Sequence, residues 1–434
     1  MASNRAGALN PGVKKREVWA WAMYDFANSG YTTVVITAVY NAFFVAVIAG
    51  NAVWASFAWS AALAVSYAAI MVTGPLLGAY ADQHGAKKKL LLLSTLGCVV
   101  GTVLLAWPAP GQVALAMALI ALSNFFFGTG ENLIAAFLPE LARGRAMGRV
   151  SGWGWGLGYL GGLSVLALAL AYVSQVQAVG GGAEAFVPGV MFITAGLFML
   201  CALPTFLFLQ ERAQPRPLAA GFARDAFRQV IGSLSHARQY RDLFRFLICI
   251  VFYQAGIQAV IALAAIYAQQ AMHFDTKQAI QLVLVVNVTA ALGALIFGHV
   301  QDRIGHKRAI GFTLIGWLCM VTLAYTAIEP IRFWLAANIA GLCLGASQSA
   351  GRAFVGYLSP VAYRAEFFGL WGLAVKLSSI LGPITYGAAV WVSGGQHRPA
   401  MLSLGLFFLM GLVLLWGVDV ERGRRTALRR RSTS

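Results

Sequence analysis

Four ionisable residues stand inside long apolar stretches of this chain: Asp25, Glu131, Arg352 and Lys376. A charge at the centre of a bilayer costs roughly 2.5–3.5 kcal/mol on insertion scales, so such groups face protein or a wet cavity and tend to mark binding or coupling sites. A carboxylate there can take up and release a proton. A guanidinium or an ammonium can hold an anionic group. Uncharged polar residues accompany them at helical spacing. Asp25, Asn28, Ser29 and Thr32 fall at i, i+3, i+4 and i+7, as do Asn124, Gly128, Glu131 and Asn132 at i, i+4, i+7 and i+8. Gln254 and Gln258 lie one turn apart, and Asn338, Gly341, Gly345, Gln348, Ser349 and Arg352 make one stripe. The competing reading is plain interhelical hydrogen bonding, worth about 0.6 kcal/mol per contact. That suits a single amide such as Asn287. It suits Glu131, Arg352 and Lys376 less well.

The elements that would carry these residues are membrane helices. The chain has 434 residues, of which 59% are hydrophobic and 11% charged. A soluble domain carries about 25% charged residues, so lipid is the expected solvent. Apolar runs long enough to span predict helices near 19–48, 54–80, 88–107, 112–138, 146–173, 188–209, 243–270, 277–300, 307–328, 331–357, 366–392 and 399–418. Trp19, Trp21, Trp54, Trp59, Trp107, Trp334, Trp391 and Trp416 lie near run ends, where an indole favours the interface. Counted along these spans, Glu131 lies about 27 Å and Lys376 about 15 Å from the start of its helix at about 1.5 Å per residue.

The net charge of +17 could suggest nucleic acid, but its distribution points to topology. Of the 32 Lys and Arg, all but Lys277, Arg332, Arg398, Arg352 and Lys376 fall in segments that twelve spans would place on one side. The positive-inside rule makes that side, and both termini, cytoplasmic. The reading divides the chain into an N-terminal segment 1–18, a six-helix half 19–209, a linker 210–242, a second half 243–418 and a basic tail 419–434. The linker carries Leu218, Phe222, Val230, Ile231 and Leu234 near helical spacing with Arg224 and Arg228 between them, which predicts an amphipathic helix on the inner leaflet. The five cysteines show no CxxC spacing, so neither a disulfide framework nor a zinc site is expected.

One loop occurs twice. Gly78, Asp82, Gly85 and Lys87 recur at the same spacing as Gly298, Asp302, Gly305 and Lys307, 220 positions later. The glycines at 85 and 305 permit a tight turn. Solvated turns with topogenic lysines would explain the lysines but not two aspartates at identical spacing. Each carboxylate can accept hydrogen bonds at the positive end of a helix in the opposite half, which predicts a conformational latch. The run Gly156–Gly161 contains a formal GxGxxG, but it lies within an apolar stretch with no preceding strand. Its small residues four apart predict close helix packing instead.

Two halves of six spans with this loop between the second and third span of each resemble the major facilitator superfamily. The branch it is similar to contains fungal vacuolar amino-acid effluxers and bacterial relatives. Trp21-Ala22-Met23-Tyr24-Asp25-Phe26-Ala27-Asn28-Ser29, Leu138-Pro139-Glu140, Ser151-Gly152 and Gly158-Tyr159-Leu160-Gly161-Gly162 carry that likeness in the first half. Gln348 through Arg352, Phe367-Phe368-Gly369-Leu370-Trp371, Lys376, Ser378, Ser379, Gly382 and Pro383 carry it in the second. The resemblance implies an all-α membrane protein of twelve helices in two pseudo-symmetric halves. It also implies that spans one, four, seven and ten line a central cavity, with Asp82 meeting span eleven and Asp302 meeting span five.

The candidate substrate-binding or coupling residues are therefore Asp25, Asn28, Glu131, Asn132, Gln254, Gln258, Gln348, Arg352 and Lys376. No nucleophile–His–Asp set, HExxH or P-loop is present, so no enzyme, metal or cofactor is expected. The expectation is a monomeric secondary transporter in a bacterial-type inner membrane, moving a small polar metabolite such as an amino acid, with the proton as candidate coupling ion and no nucleic-acid partner. The competing classes are a transporter for sugars, nucleosides or drugs, and a non-transporting membrane protein such as an intramembrane enzyme or receptor-like scaffold.

Overall fold

The computed structural model describes residues 9–429 apart from 51, 53, 213–238, 273, 275 and 395. It is helical almost throughout. Among the described residues twelve long helices run in chain order: α1 (Lys15–Ile48), α2 (Ala55–His84), α3 (Lys87–Leu104), α4 (Val113–Ala135), α5 (Met147–Ala178) and α6 (Ala183–Phe208), then α7 (Arg241–Met272), α8 (Thr276–Ile304), α9 (His306–Thr326), α10 (Pro330–Leu358), α11 (Arg364–Val392) and α12 (His397–Trp416). A short α13 (Val420–Arg429) follows. Ten of the twelve are apolar and long enough to cross a membrane by composition alone. The other two are α3, which opens on three lysines, and α10, which carries the polar stripe. The amphipathic helix expected in the linker falls on 213–238, outside the described residues.

The two six-helix halves repeat one packing scheme. α1 packs on α5 and α6, α4 on α2 and α3, and α6 on α3; α7 packs on α11 and α12, α10 on α8 and α9, and α12 on α9. Between halves, α2 meets α11 and α5 meets α8, again as a symmetric pair. Small residues make both crossings possible. A Cβ at Gly152 would come within 2.5 Å of the Ala294 carbonyl, and one at Gly369 within 2.5 Å of that of Gly74. In lipid, where apolar burial gives helices no preference for one another, such close packing is what holds them together. Leu168, Leu207, Ile384 and Leu406 are exposed on the outside of the bundle, as a lipid-facing wall requires.

Each duplicated turn is made by a left-handed glycine, Gly85 at φ 60° and Gly305 at φ 92°. α1 departs from regular geometry in its second half, where Tyr31–Ala38 and Phe44–Ile48 are π-helical. The Thr37 hydroxyl donates to the Thr32 carbonyl at 3.0 Å, reaching back across the wider turn. Such segments are rare and concentrate at functional sites.

A second duplicated device closes each half on itself. In the first half Glu17, buried at the start of α1, accepts from Arg212 Nη1 and, at 2.8 Å, from Nη2, and from the Gln210 backbone N–H at 3.2 Å. In the second half Asp242, buried at the start of α7, accepts Arg422 at 2.7 and 2.8 Å and the Asp419 N–H at 2.9 Å. First and last helices of each half are thus clasped by one carboxylate holding an arginine and a backbone amide.

Candidate transport site and latch

Two ion pairs join the halves. Arg352 of α10 donates from Nη1 to Asp25 Oδ2 of α1 at 2.6 Å. Its Nε donates to Ser151 Oγ at 3.0 Å and its Nη2 to the Ser151 carbonyl at 2.9 Å, both at the start of α5. The guanidinium also lies 4.8 Å from the Trp21 ring and 5.4 Å from that of Trp155. Gly154 leaves room for this knot, since a Cβ there would sit 2.5 Å from Arg352 Nη2. Every nitrogen of the guanidinium has a partner, and two aromatic faces shield it, so a buried cation that would be costly alone is satisfied.

The second pair is looser. Lys376 Nζ of α11 lies 3.3 Å from Glu131 Oε2 of α4, with the Tyr67 ring of α2 at 5.3 Å from the ammonium. The Glu131 side chain is 27% exposed, against 11% for Asp25 and 4% for Arg352. Of the four charges, the Glu131 carboxylate is thus the most open to exchange with solvent.

The polar stripes resolve unevenly. Gln254 Nε2 donates to Gln348 Oε1 at 2.7 Å, an amide pair between α7 and α10 within the second half. Gln258 is half-buried one turn on, and Asn28 is buried on the Asp25 face of α1. Ser29 is turned back onto the Asp25 carbonyl and Asn338 onto that of Trp334, which is a local structural use. Asn124 donates to Ser66 at 2.5 Å. Asn287 bonds the Val283 carbonyl of its own helix.

Asn132 is different. It is buried, and neither atom of its amide has a hydrogen-bond partner. It abuts Gly372 of α11, where a Cβ would overlap the amide. Arg352 stands 220 positions after Asn132, the offset of the duplicated loops, so the two occupy matching places in the two halves. Each reaches across to the opposite half, to the small-residue run of α11 in one case and α5 in the other.

The duplicated aspartates sit at helix starts across the boundary. Asp82 Oδ2 accepts the N–H groups of Ala365 at 2.7 Å and Glu366 at 3.1 Å, at the beginning of α11. Asp302 Oδ1 accepts the N–H of Arg149 at 3.1 Å near the beginning of α5, and the Arg149 guanidinium lies 3.7 Å from Oδ2. Gly78 and Gly298 stand one turn before each aspartate, against Ala365 and the Gly148 carbonyl. The lysines have diverged. Lys87 is buried between Glu140 and Asp82. Lys307 turns to α12, donating to the carbonyls of Trp416 at 3.0 Å and Val418 at 2.7 Å. The cation beside Asp302 is thus Arg149, while Lys307 is held at the end of α12.

The four charges pair as Glu131 with Lys376 and Arg352 with Asp25. One further expectation needs revision. Trp21 and Trp59 are buried rather than interfacial, Trp21 because Arg352 lies against it. Tyr67, Trp155 and the clasp residues Glu17, Asp242 and Arg422 were not singled out from sequence. A tyrosine or tryptophan in an apolar span has no polar spacing to distinguish it from packing.

Comparison with known proteins agrees with this geometry. A family described as "Vacuole effluxer Atg22 like" matches residues 41–428. The chain belongs to that family. Among its relatives is an uncharacterized MFS-type transporter, YxiO, of Bacillus subtilis, 27% identical over 93% of this chain and 94% of that protein. Autophagy-related protein 22-1 of Penicillium rubens is 25% identical over 64% of this chain. The match spans about half the length of that fungal relative. The fold is shared with the human organic anion transporter MFSD10, at TM-score 0.71 and 16% identity over 92% of this chain and 99% of that one. It is shared also with the proton:xylose symporter XylE, at TM-score 0.71 and 16% identity over 94% and 96% of the two chains. A bacterial homologue of the iron transporter ferroportin in its outward-facing state gives TM-score 0.73 at 12% identity, over 93% of this chain and 99% of that one. This Atg22-like chain is therefore a multi-pass membrane protein with the fold and family of major facilitator transporters.

Proposed function

We propose that this Atg22-like protein is a secondary active transporter of a small polar metabolite, with amino acids as the leading class, working by alternating access. The observation that carries the reading is that both ion pairs, Asp25–Arg352 and Glu131–Lys376, join one half to the other. A substrate bearing both charges could replace one partner of each pair. Rocking of the halves about a midplane site would then be coupled to its binding. The latch contacts at Asp82 and Asp302 are made, as are hydrogen bonds from Ser151 to the Ser349 carbonyl at 2.9 Å and from Ser349 to the Gly148 carbonyl at 3.4 Å. The halves are thus joined at the basic end. Positive-inside topology makes that end, and both termini, cytoplasmic in a bacterial-type inner membrane, so this conformation is closed to the cytoplasm.

Glu131 is the candidate proton carrier, as the most exposed carboxylate of the two pairs. A proton there would release Lys376 and lower the cost of separating the halves. Arg352 is the candidate anchor for a substrate carboxylate, and Asn28, Asn132, Gln254, Gln258 and Gln348 are the neutral polar groups available to orient it. Counterflow of radiolabelled amino acids in proteoliposomes tests the reading. Accumulation of label against unlabelled internal substrate is expected for at least one amino acid. Counterflow with sugars or nucleosides alone would keep the transporter and reject the substrate class.

A further inference from the structure

Lys307 is the member of the duplicated loop that its latch does not use, and it leads to a second site. With Arg245, Arg422 and Arg425 it lines a basin of about 900 Å³ between the starts of α7 and α9, the end of α12 and the tail helix α13. Two carboxylates, Asp419 and Glu421, also lie on its wall. Asp419 is engaged with the Arg422 N–H, at 2.9 Å. Arg422 is held by Asp242, whereas Arg245 and Lys307 are fixed by backbone carbonyls at the end of α12. Arg245 Nη1 donates to the Gly417 carbonyl at 3.0 Å. Among the described residues Arg425 is paired with Glu421 one turn away on the same helix, and both side chains are largely exposed, at 71% and 81%.

We propose that this basin binds the phosphate of an anionic membrane lipid. The cations supply the charge complementarity: basic clusters next to the end of a membrane helix attract anionic headgroups, and a phosphate can accept from several charged donors at once. The surroundings favour a lipid over a free anion. Trp416, on the lining, is 83% exposed where α12 leaves the apolar region. From there Val413, Leu409 and Leu406 continue outward-facing along α12, and Phe312 and Ile315 are exposed on the adjoining α9. A headgroup in the basin would have its acyl chains along that wall.

The test uses the purified full chain in a neutral detergent. Dioctanoyl phosphatidylglycerol, dioctanoyl phosphatidylcholine and inorganic phosphate are titrated while bound lipid is counted by native mass spectrometry and melting temperature is followed. Phosphatidylglycerol is expected to bind and stabilise, less so as salt rises. Phosphatidylcholine and phosphate are not. Arg425→Gln and Arg245→Gln should each weaken phosphatidylglycerol binding about fivefold. Glu421→Gln should tighten it by removing the competing carboxylate, an effect that a purely structural role would not give. Arg245→Gln removes a helix-end contact; if it does not fold, the Arg425 and Glu421 variants carry the test. Equal binding of the two lipids, unchanged binding by the Arg425 and Glu421 variants, or equal stabilisation by phosphate alone would overturn the proposal.

Discussion

Arg352 and Asp25 lie 327 positions apart in sequence and 2.6 Å apart in space, in different halves of the molecule. The pair is buried, so breaking it leaves a charge with nowhere to go. Removing one partner of a buried pair typically costs about 3–5 kcal/mol. Asp25→Ala should therefore lower the melting temperature of the purified protein markedly and abolish transport. Asp25→Ala with Arg352→Met should recover much of the stability and none of the transport. A single Asp25→Ala variant that melts like the parent would show that the pair contributes nothing net.

Glu131→Gln removes the charge facing Lys376 while keeping an acceptor oxygen within reach of the ammonium. Concentrative uptake or efflux should be lost and exchange of substrate for substrate retained. The measurement is a comparison of uphill accumulation with counterflow in the same liposomes. Uphill transport at the parental rate would remove Glu131 from the coupling scheme.

Asp82→Asn keeps an oxygen for the amides of Ala365 and Glu366 but loses the charge that answers the positive end of α11 and the buried Lys87. Expression should survive and transport should fall severely. Cysteines introduced near the starts of α5 and α11 should become more reactive from the basic side. Unchanged reactivity with normal transport would reduce the duplicated loop to a topogenic turn.

Gly372→Ala places a methyl group where the Asn132 amide lies. Overpacking of this kind costs about 1–3 kcal/mol, and here it would act on the closed arrangement of α4 against α11. Transport should drop, with the basic end more often open. Adding Asn132→Ala should restore the packing, and transport too unless the amide itself binds substrate. Stability and transport measured on both variants separate the two roles of Asn132.

A reporter active only outside the cytoplasm, fused after Ser434, should stay silent. A signal from it would reverse the orientation read from the basic residues.

Much of this was legible because polar groups are conspicuous in an apolar background. The repeat at Asp82 and Asp302 could be seen from spacing alone, and the glycines at 85 and 305 turned as their type requires. The stripes containing Asp25, Glu131 and Arg352 could be assigned to helix faces for the same reason. What spacing does not carry is the rotation of one half against the other. The stripe that carries Arg352 does not say which helices it meets, yet Arg352 is turned toward α1 and α5, where Ser151 and the tryptophans receive it. Lys307 looked equivalent to Lys87 because their loops match, but its partners are carbonyls at the end of α12, more than a hundred positions away. The Glu17–Arg212 contact is equally invisible, since neither residue stands out in a segment already rich in charge.

The clasps at Glu17 and Asp242 have a consequence for how the molecule can be made. Each one begins and ends within its own half, so neither depends on the covalent connection between Arg212 and Arg241. Cutting the gene in that connection and producing residues 1–212 and 239–434 as two polypeptides should yield fragments that fold separately and reassemble in the membrane into an active carrier. An Asp242→Ala substitution should cripple that reassembly more than it harms the intact chain.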